Sequence, residues 1–376
     1  MGVPMATQLT PEAVRRFMAE GGEAAFIDVR DQGNYNSTHI PGFSSLPRRL
    51  IEFDLKWMAP YKGVRLVLCD DNGRQAGLAA STVERMGYTD VCVLEGGVNA
   101  WTTADLPTEW GTNVSSKDFG ERMEVEHHVP EIDSLELKER LDRGEKIVML
   151  DTRTPEEHRN FCIPGSSVLP NGEIPLRIHD IIKEQGKDTT ILLHCAGRTR
   201  SIIGTRTLQR MGLKNVYGLK NGTAGWTLAG LELERGSQRN ALGAVSSEGL
   251  KAAEAYADRV AREDGVLYVD VAGLEGLMGK RSSQTVYLID VRTEEEYRKG
   301  HISGFRWFPG GQAVQRSDDV GAVRDGVIIF ACDGRARASV TASWFRQMGY
   351  PNVYVLQGGV KGWEATGRGL EGGMPE

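Results

Sequence analysis

Cysteine is scarce in this chain: five residues in 376, odd in number and with no Cys-x-x-Cys pair among them. That excludes a disulfide scaffold and a cysteine-rich zinc module, and it sets a reducing, cytoplasmic compartment as the expectation. Long apolar runs are missing too. No stretch approaches the ~18 apolar residues that mark a membrane span. The segment MGVPMATQLTPEA has no basic region leading into an apolar core, so it does not read as a secretory signal. Ala6 stands where a myristoylation site needs Ser or Thr. Positive charge is in the minority, with 45 Lys and Arg against 51 Asp and Glu. A formal charge of −6 argues against a general nucleic-acid binder. The 40% hydrophobic and 26% charged content is that of an ordinary globular protein, and the length suggests two to three domains.

What the chain does contain is one unit written three times. An apolar run ends in Asp-x-Arg at Asp28–Arg30, Asp151–Arg153 and Asp290–Arg292. At one fixed interval there follow His39-Ile-Pro-Gly, Cys162-Ile-Pro-Gly and His301-Ile-Ser-Gly. A second apolar run then opens into a polar loop: LVLCDDNGRQA, ILLHCAGRTRS and IIFACDGRARA. Each copy goes on to Met-Gly (Met86, Met211, Met348) and closes on a Trp (Trp101, Trp226, Trp363) at identical Met-to-Trp spacing.

Val, Ile and Leu runs without polar alternation suit strands buried on both faces of a parallel sheet. Helices between them give an α/β fold with right-handed crossovers. Thr10 before Pro11 marks one helix start, and Asp133-Ser-Leu-Glu136 reads as a capping box for another. The Trp endings divide the chain into domains at 1–112, 113–236 and 237–376. The third copy follows a longer interval, whose surplus holds the Ala-rich amphipathic stretch at 246–265. It reads as one extra helix, either packed between units two and three or solvated.

The loop of copy two carries the chemistry. Cys195 ends an apolar strand, and Ala-Gly197-Arg198-Thr199-Arg200-Ser201 leads into a helix. Such a turn aims backbone N–H groups and a helix N-terminus at one point. Arg198 and Arg200 add formal charge. A thiol there shifts toward thiolate, and the same concavity holds an anion. Gly197 is expected to serve close backbone approach or a positive φ.

The order Asp-x-Arg, His-Ile-Pro-Gly, Cys-x4-Arg and Gly-Gly-x-x-x-Trp resembles the rhodanese (thiosulfate sulfurtransferase) family, three times over nearly the whole chain. The resemblance implies three tandem domains, each a parallel β-sheet flanked by helices. It implies a cysteine that takes a sulfane sulfur from thiosulfate as a persulfide and passes it to cyanide or a thiol, a thiol-carrying protein being a further candidate. It implies no metal and no organic cofactor. His194-Cys195 also resembles a tyrosine-phosphatase loop, but four residues rather than five separate Cys195 from Arg200. Sulfur transfer is thus the leading reading. A sulfur carrier or scaffold loaded by a partner is the alternative, and phosphatase or arsenate-reductase chemistry ranks last.

Copies two and three align without a gap from Cys195 and Cys332 to their Trp residues. The same count back from Trp101 lands on Asp70, not Cys69. Copy one is therefore expected to lack a nucleophile, while Cys195 and Cys332 are the candidate catalytic residues. Gly197, Arg198, Thr199, Arg200 and Ser201, with Arg335 and Arg337 in copy three, are the candidate donor-binding set. Asp333 beside Cys332 disfavours ionisation of that thiol and an anionic donor. The Asp-x-Arg pairs, His39, His301, Cys92, Cys162 and His127-His128 are read as structural or surface residues.

Overall fold

The structure is a computed structural model that describes residues 6–374. The reading of the N-terminal segment as lacking a leader falls partly on Met1–Met5, outside the described residues. The first unit holds strands β1 (Thr7–Leu9), β2 (Ala24–Asp28), β3 (Ser44–Ser45), β4 (Arg65–Cys69) and β5 (Asp90–Leu94). The second holds β6 (Glu131–Ile132), β7 (Ile147–Asp151), β8 (Ser167–Val168), β9 (Thr190–His194) and β10 (Val216–Leu219). The third holds β11 (Leu267–Val269), β12 (Val286–Asp290), β13 (Arg306–Trp307), β14 (Val327–Ala331) and β15 (Val353–Leu356).

Each set forms one five-stranded parallel sheet, ordered β1-β5-β4-β2-β3, β6-β10-β9-β7-β8 and β11-β15-β14-β12-β13. Parallel neighbours need crossovers, and the helices between strands supply them. Register fixes the loops. Asp28 lies opposite Cys69, Asp151 opposite His194, and Asp290 opposite Ala331. The next residues, Asp70, Cys195 and Cys332, are thus the first to leave their sheets, at equivalent places.

Two helices join the units. Ser247–Glu263, capped by Ser246 Oγ accepting from Gly249 N, buries Ala253, Tyr256, Ala257 and Val260. It packs on the helices Ile174–Gln185 of unit two and Ala336–Gln347 of unit three, so it is a packed element. The other, Val114–His127, lies on the helix Thr199–Arg210, and sequence reading did not single it out. Its buried side is Ser116, Phe119, Gly120 and Met123, too small and polar a stripe to stand out. The largest apolar cluster runs through all three units. At the contact of units one and three, the Tyr287 hydroxyl donates to Met58 O (2.6 Å) and accepts from Val323 N (2.9 Å).

Thr10 caps its helix as read, accepting from Ala13 N. The expected box at Asp133 is half made: Asp133 Oδ1 accepts from Glu136 N (2.9 Å), but the Glu136 carboxylate turns to Arg140. Complete boxes occur at Thr154/Glu157 and Thr293/Glu296. No helix among the described residues is long and apolar enough to cross a membrane.

Candidate active site

The Asp-x-Arg motifs build the floor of each site. Arg30, Arg153 and Arg292 each return to their own strand-end Asp at 2.6–2.7 Å, fully or nearly fully buried. Each also donates to a carbonyl eight residues on: Thr38, Phe161 or Gly300. These are structural ion pairs, which anchor the strand end to the following turn. His39 and His301 stack on Tyr35 and Tyr297 with ring centroids 3.8 Å apart, and their Nδ1 atoms meet the same tyrosines' carbonyls. In unit two the pair is replaced by His158 and Cys162, both buried. His158 Nδ1 bonds Asp151 (3.0 Å).

Above that floor the loops differ in what they hold. In unit one the Asp70 carboxylate accepts from three backbone N–H groups of its own loop, those of Asn72 (3.1 Å), Gly73 and Gln75. Cys69 ends β4 and is fully buried. In units two and three a thiol stands at the same place. Asp70 O, Cys195 O and Cys332 O each accept from the helix that follows the last strand, from Val98, Thr223 and Val360 N at 2.8–2.9 Å. The gapless register is therefore the observed one. Cys195 Sγ lies 3.8 Å from Ser201 Oγ, whose hydroxyl donates to Arg198 O (2.7 Å). Cys332 faces Ala338 in that position and is pushed up to about 11, first by burial and then by Asp333.

One expectation is corrected. Gly197 has neither a positive φ nor any atom within 4 Å of where a Cβ would stand. The demand for glycine falls instead on the turn that closes over the loop. Gly222 has φ +49°, and a Cβ there would lie 2.1 Å from Cys195 O and 2.7 Å from Gly197 O. Gly97 and Gly359 repeat this against Asp70 O and Cys332 O at 2.2 Å.

The four candidate arginines are all paired. Arg200 is buried and bonds both oxygens of Glu157 at 2.8 Å. Arg337 is buried among Glu173 (2.8 Å), Glu296 (2.6 Å) and Asp333 (2.9 Å). Arg198 is held by Glu124 of the helix Val114–His127 (2.6 Å) and by Glu131 of β6. Arg335 is held by Asp258 (2.9 Å) and Glu254 (3.4 Å) of the helix Ser247–Glu263. In both units a connecting helix thus pins the loop's first arginine. Thr199 packs on Gly120, where a Cβ would stand 3.1 Å from its Cγ2. Sequence reading missed Glu157 and Glu296. Their signal was present as Thr-x-x-Glu after the second and third Asp-x-Arg, a pattern that copy one lacks, with Asp31 and Asn34 there. Gln75 takes the place of Arg200 in that copy, so unit one lacks the arginine–glutamate pair as a whole.

Beside Arg200 a cleft of about 460 Å³ lies between units two and three, lined by Thr154, Pro155, Gly172, Trp307, Pro309 and Gln312 among others.

A family model described as "Rhodanese-like domain" matches residues 10–104, 133–229 and 271–366. A sulfurtransferase of Allochromatium vinosum is 33% identical over 105 residues, 28% of this chain and 94% of that protein. The putative sulfur carrier protein YrkF of Bacillus subtilis is 30% identical over 99 residues, 26% of this chain and 51% of that protein. Among solved structures, a thiosulfate sulfurtransferase from Pseudomonas aeruginosa superposes with a TM-score of 0.92 at 36% identity, covering 98% of this chain and 69% of that one.

Proposed function

The chain belongs to the rhodanese-like sulfurtransferase family, and from that premise we propose that it moves a sulfane sulfur from thiosulfate through a persulfide on Cys195. The observation that carries this is internal to the molecule. Three loop N–H groups of unit one close on the Asp70 carboxylate, so the loop is an anion cradle by construction. Unit two places a thiol at that point, beside the helix N-terminus and Arg200. A thiolate and then a persulfide anion take the N–H groups that Asp70 takes in unit one.

The Cys195 thiolate attacks the outer sulfur of thiosulfate, the S–S bond of the donor breaks, and sulfite leaves with the electron pair. Cyanide or a thiolate then attacks the outer persulfide sulfur and releases the Cys195 thiolate. Arg198 and Arg200 hold the loop in shape through Glu124, Glu131 and Glu157, and the Arg200 charge favours the thiolate. Thr199 and Ser201 complete the wall. Cys195 is only 2% exposed, which favours a small donor over a bulky protein-borne one. Thiol-carrying proteins remain acceptors of the same persulfide. In unit three Cys332, with Arg335 and Arg337, is a second and weaker nucleophile. The divisions 1–112, 113–236 and 237–376 then separate an inactive unit, a principal one and a secondary one, in a cytoplasmic setting.

The test is Cys195→Ser in the full chain. Thiosulfate:cyanide turnover is expected to fall to a small residue of the wild-type rate. Retention of more than about half of it would move the assignment to Cys332.

A further inference from the structure

Units two and three reach into each other's sites with the same position of their folds. The turns Pro170-Asn171-Gly172-Glu173 and Pro309-Gly310-Gly311-Gln312 follow β8 and β13 respectively. They stack backbone on backbone. A Cβ on Gly172 would lie 3.3 Å from Gly310 Cα, and one on Gly311 would lie 2.8 Å from Asn171 Cβ. From this contact Gln312 Nε2 donates to Glu157 Oε2 (3.3 Å), the carboxylate that holds Arg200. In return Glu173 Oε1 accepts from Arg337 Nη1 (2.8 Å). One structural position therefore delivers a neutral amide to the Cys195 site and a carboxylate to the Cys332 site.

The consequence is a difference in how many carboxylates bond the arginine beside each thiol. Arg200 bonds one carboxylate, Glu157; Asp151 is paired with Arg153, His194 is neutral and Arg198 is paired, while Glu156, Arg159, Glu173, Arg292 and Glu294 line the same cleft as Arg200. Arg337 bonds three carboxylates, Glu173, Glu296 and Asp333. Arg177 offsets Glu173 (2.8 Å), Lys361 offsets Asp333 (3.2 Å), and Arg335 is paired with Asp258. Asp290 is paired with Arg292, and the Tyr268 hydroxyl is taken up by Ser339. In a buried setting such charges act at short range with little screening.

We propose that the exchanged pair Glu173/Gln312 sets which thiol is the nucleophile: Gln312 leaves the charge of Arg200 to the Cys195 thiolate, while Glu173 neutralises Arg337 and keeps Cys332 protonated. Both are positioning residues that act through an arginine. The inference deepens the sulfurtransferase reading and rests on it only for its meaning, because thiol ionisation is measurable without any sulfur donor.

The experiment is a pH titration of thiolate ultraviolet absorbance on the intact chain, each thiol read as the difference from its own Cys→Ser variant. Glu173→Gln is expected to bring the Cys332 midpoint down from about 11 by about one pH unit, a ~10-fold rise in thiolate below the midpoint. Gln312→Glu is expected to raise the Cys195 midpoint by a similar amount. A purely structural role would not move the two midpoints in opposite directions. An unmoved Cys332 midpoint in folded Glu173→Gln, or an unmoved Cys195 midpoint in Gln312→Glu, overturns the proposal. Should Glu173→Gln fail to fold, the half-buried Gln312→Glu decides alone. A chain with no thiosulfate turnover can still show both shifts, so failure here and failure of the sulfurtransferase reading are distinguishable.

Discussion

His194, the last residue of β9, has both ring nitrogens buried without a hydrogen-bond partner, and Asp151 Oδ1 stands 3.9 Å from Nδ1. Burial, the largest influence, pushes the imidazole down to about 4 from 6.5, against the opposing pull of Asp151. The ring is therefore neutral at physiological pH and supplies no charge to the adjacent Cys195. On the sulfurtransferase reading, cationic help for Cys195 would come from Arg200 and the helix N-terminus rather than from a histidine. The same burial has a cost in acid. Between pH 6.5 and about 4 the unfolded chain binds a proton at His194 that the folded chain does not, so stability falls as pH falls through that window. The loss approaches about 3 kcal/mol at its lower end. Asp151, whose pKa is lowered, loses its contribution only below that window. Urea midpoints at a series of pH values should fall less steeply in His194→Ala than in wild type. Ala331 is the natural occupant of this position in unit three. Equal slopes would place the acid sensitivity elsewhere.

Among the elements, the closing turn before each terminal Trp is the least forgiving. Gly222→Ala must displace the carbonyl of Cys195 from a backbone at φ +49°, so a loss of about 3 kcal/mol or more is expected, with turnover lost as the loop opens. Gly197→Ala meets open space and should cost under about 1 kcal/mol. Chemical denaturation of the two variants checks the contrast, which is an inversion of what the sequence alone implied for Gly197. That inversion shows where legibility ended. Strand runs, loop register and the helix over 246–265 were readable because apolar pattern and repeat spacing record them directly. The glycine requirement was not, because it arises from a carbonyl that another segment places 2.1 Å from where a Cβ on Gly222 would stand. The helix Val114–His127 escaped for a related reason: its buried side presents Gly120 and Ser116 to a close neighbour rather than a broad apolar stripe.

At the scale of the whole molecule, three copies of one unit hold different residues at the same loop position, and the difference was partly legible. Counting back from Trp101 placed Asp70 in the nucleophile position, and the three N–H groups around its carboxylate are the physical form of that count. Contacts between units could not be counted in this way. Glu173 to Arg337 and Gln312 to Glu157 join residues far apart in the chain, and no local pattern announces them. The two observations lead to one expectation for unit one. Its cradle is already filled by a carboxylate, and Gln75 and Asn34 replace the arginine and glutamate that shape the other loops. The thiol next to Asp70 in the chain, Cys69, is fully buried at the end of β4 and held well above its ordinary range, by burial first and Asp28 next. With Cys195→Ser and Cys332→Ser combined, the chain should turn over no thiosulfate. Its intact mass should gain no sulfur atom after incubation with the donor. A persulfide mapped to Cys69 in that variant would refute the assignment, because the thiol would have had to leave the sheet and displace Asp70 from its three amides.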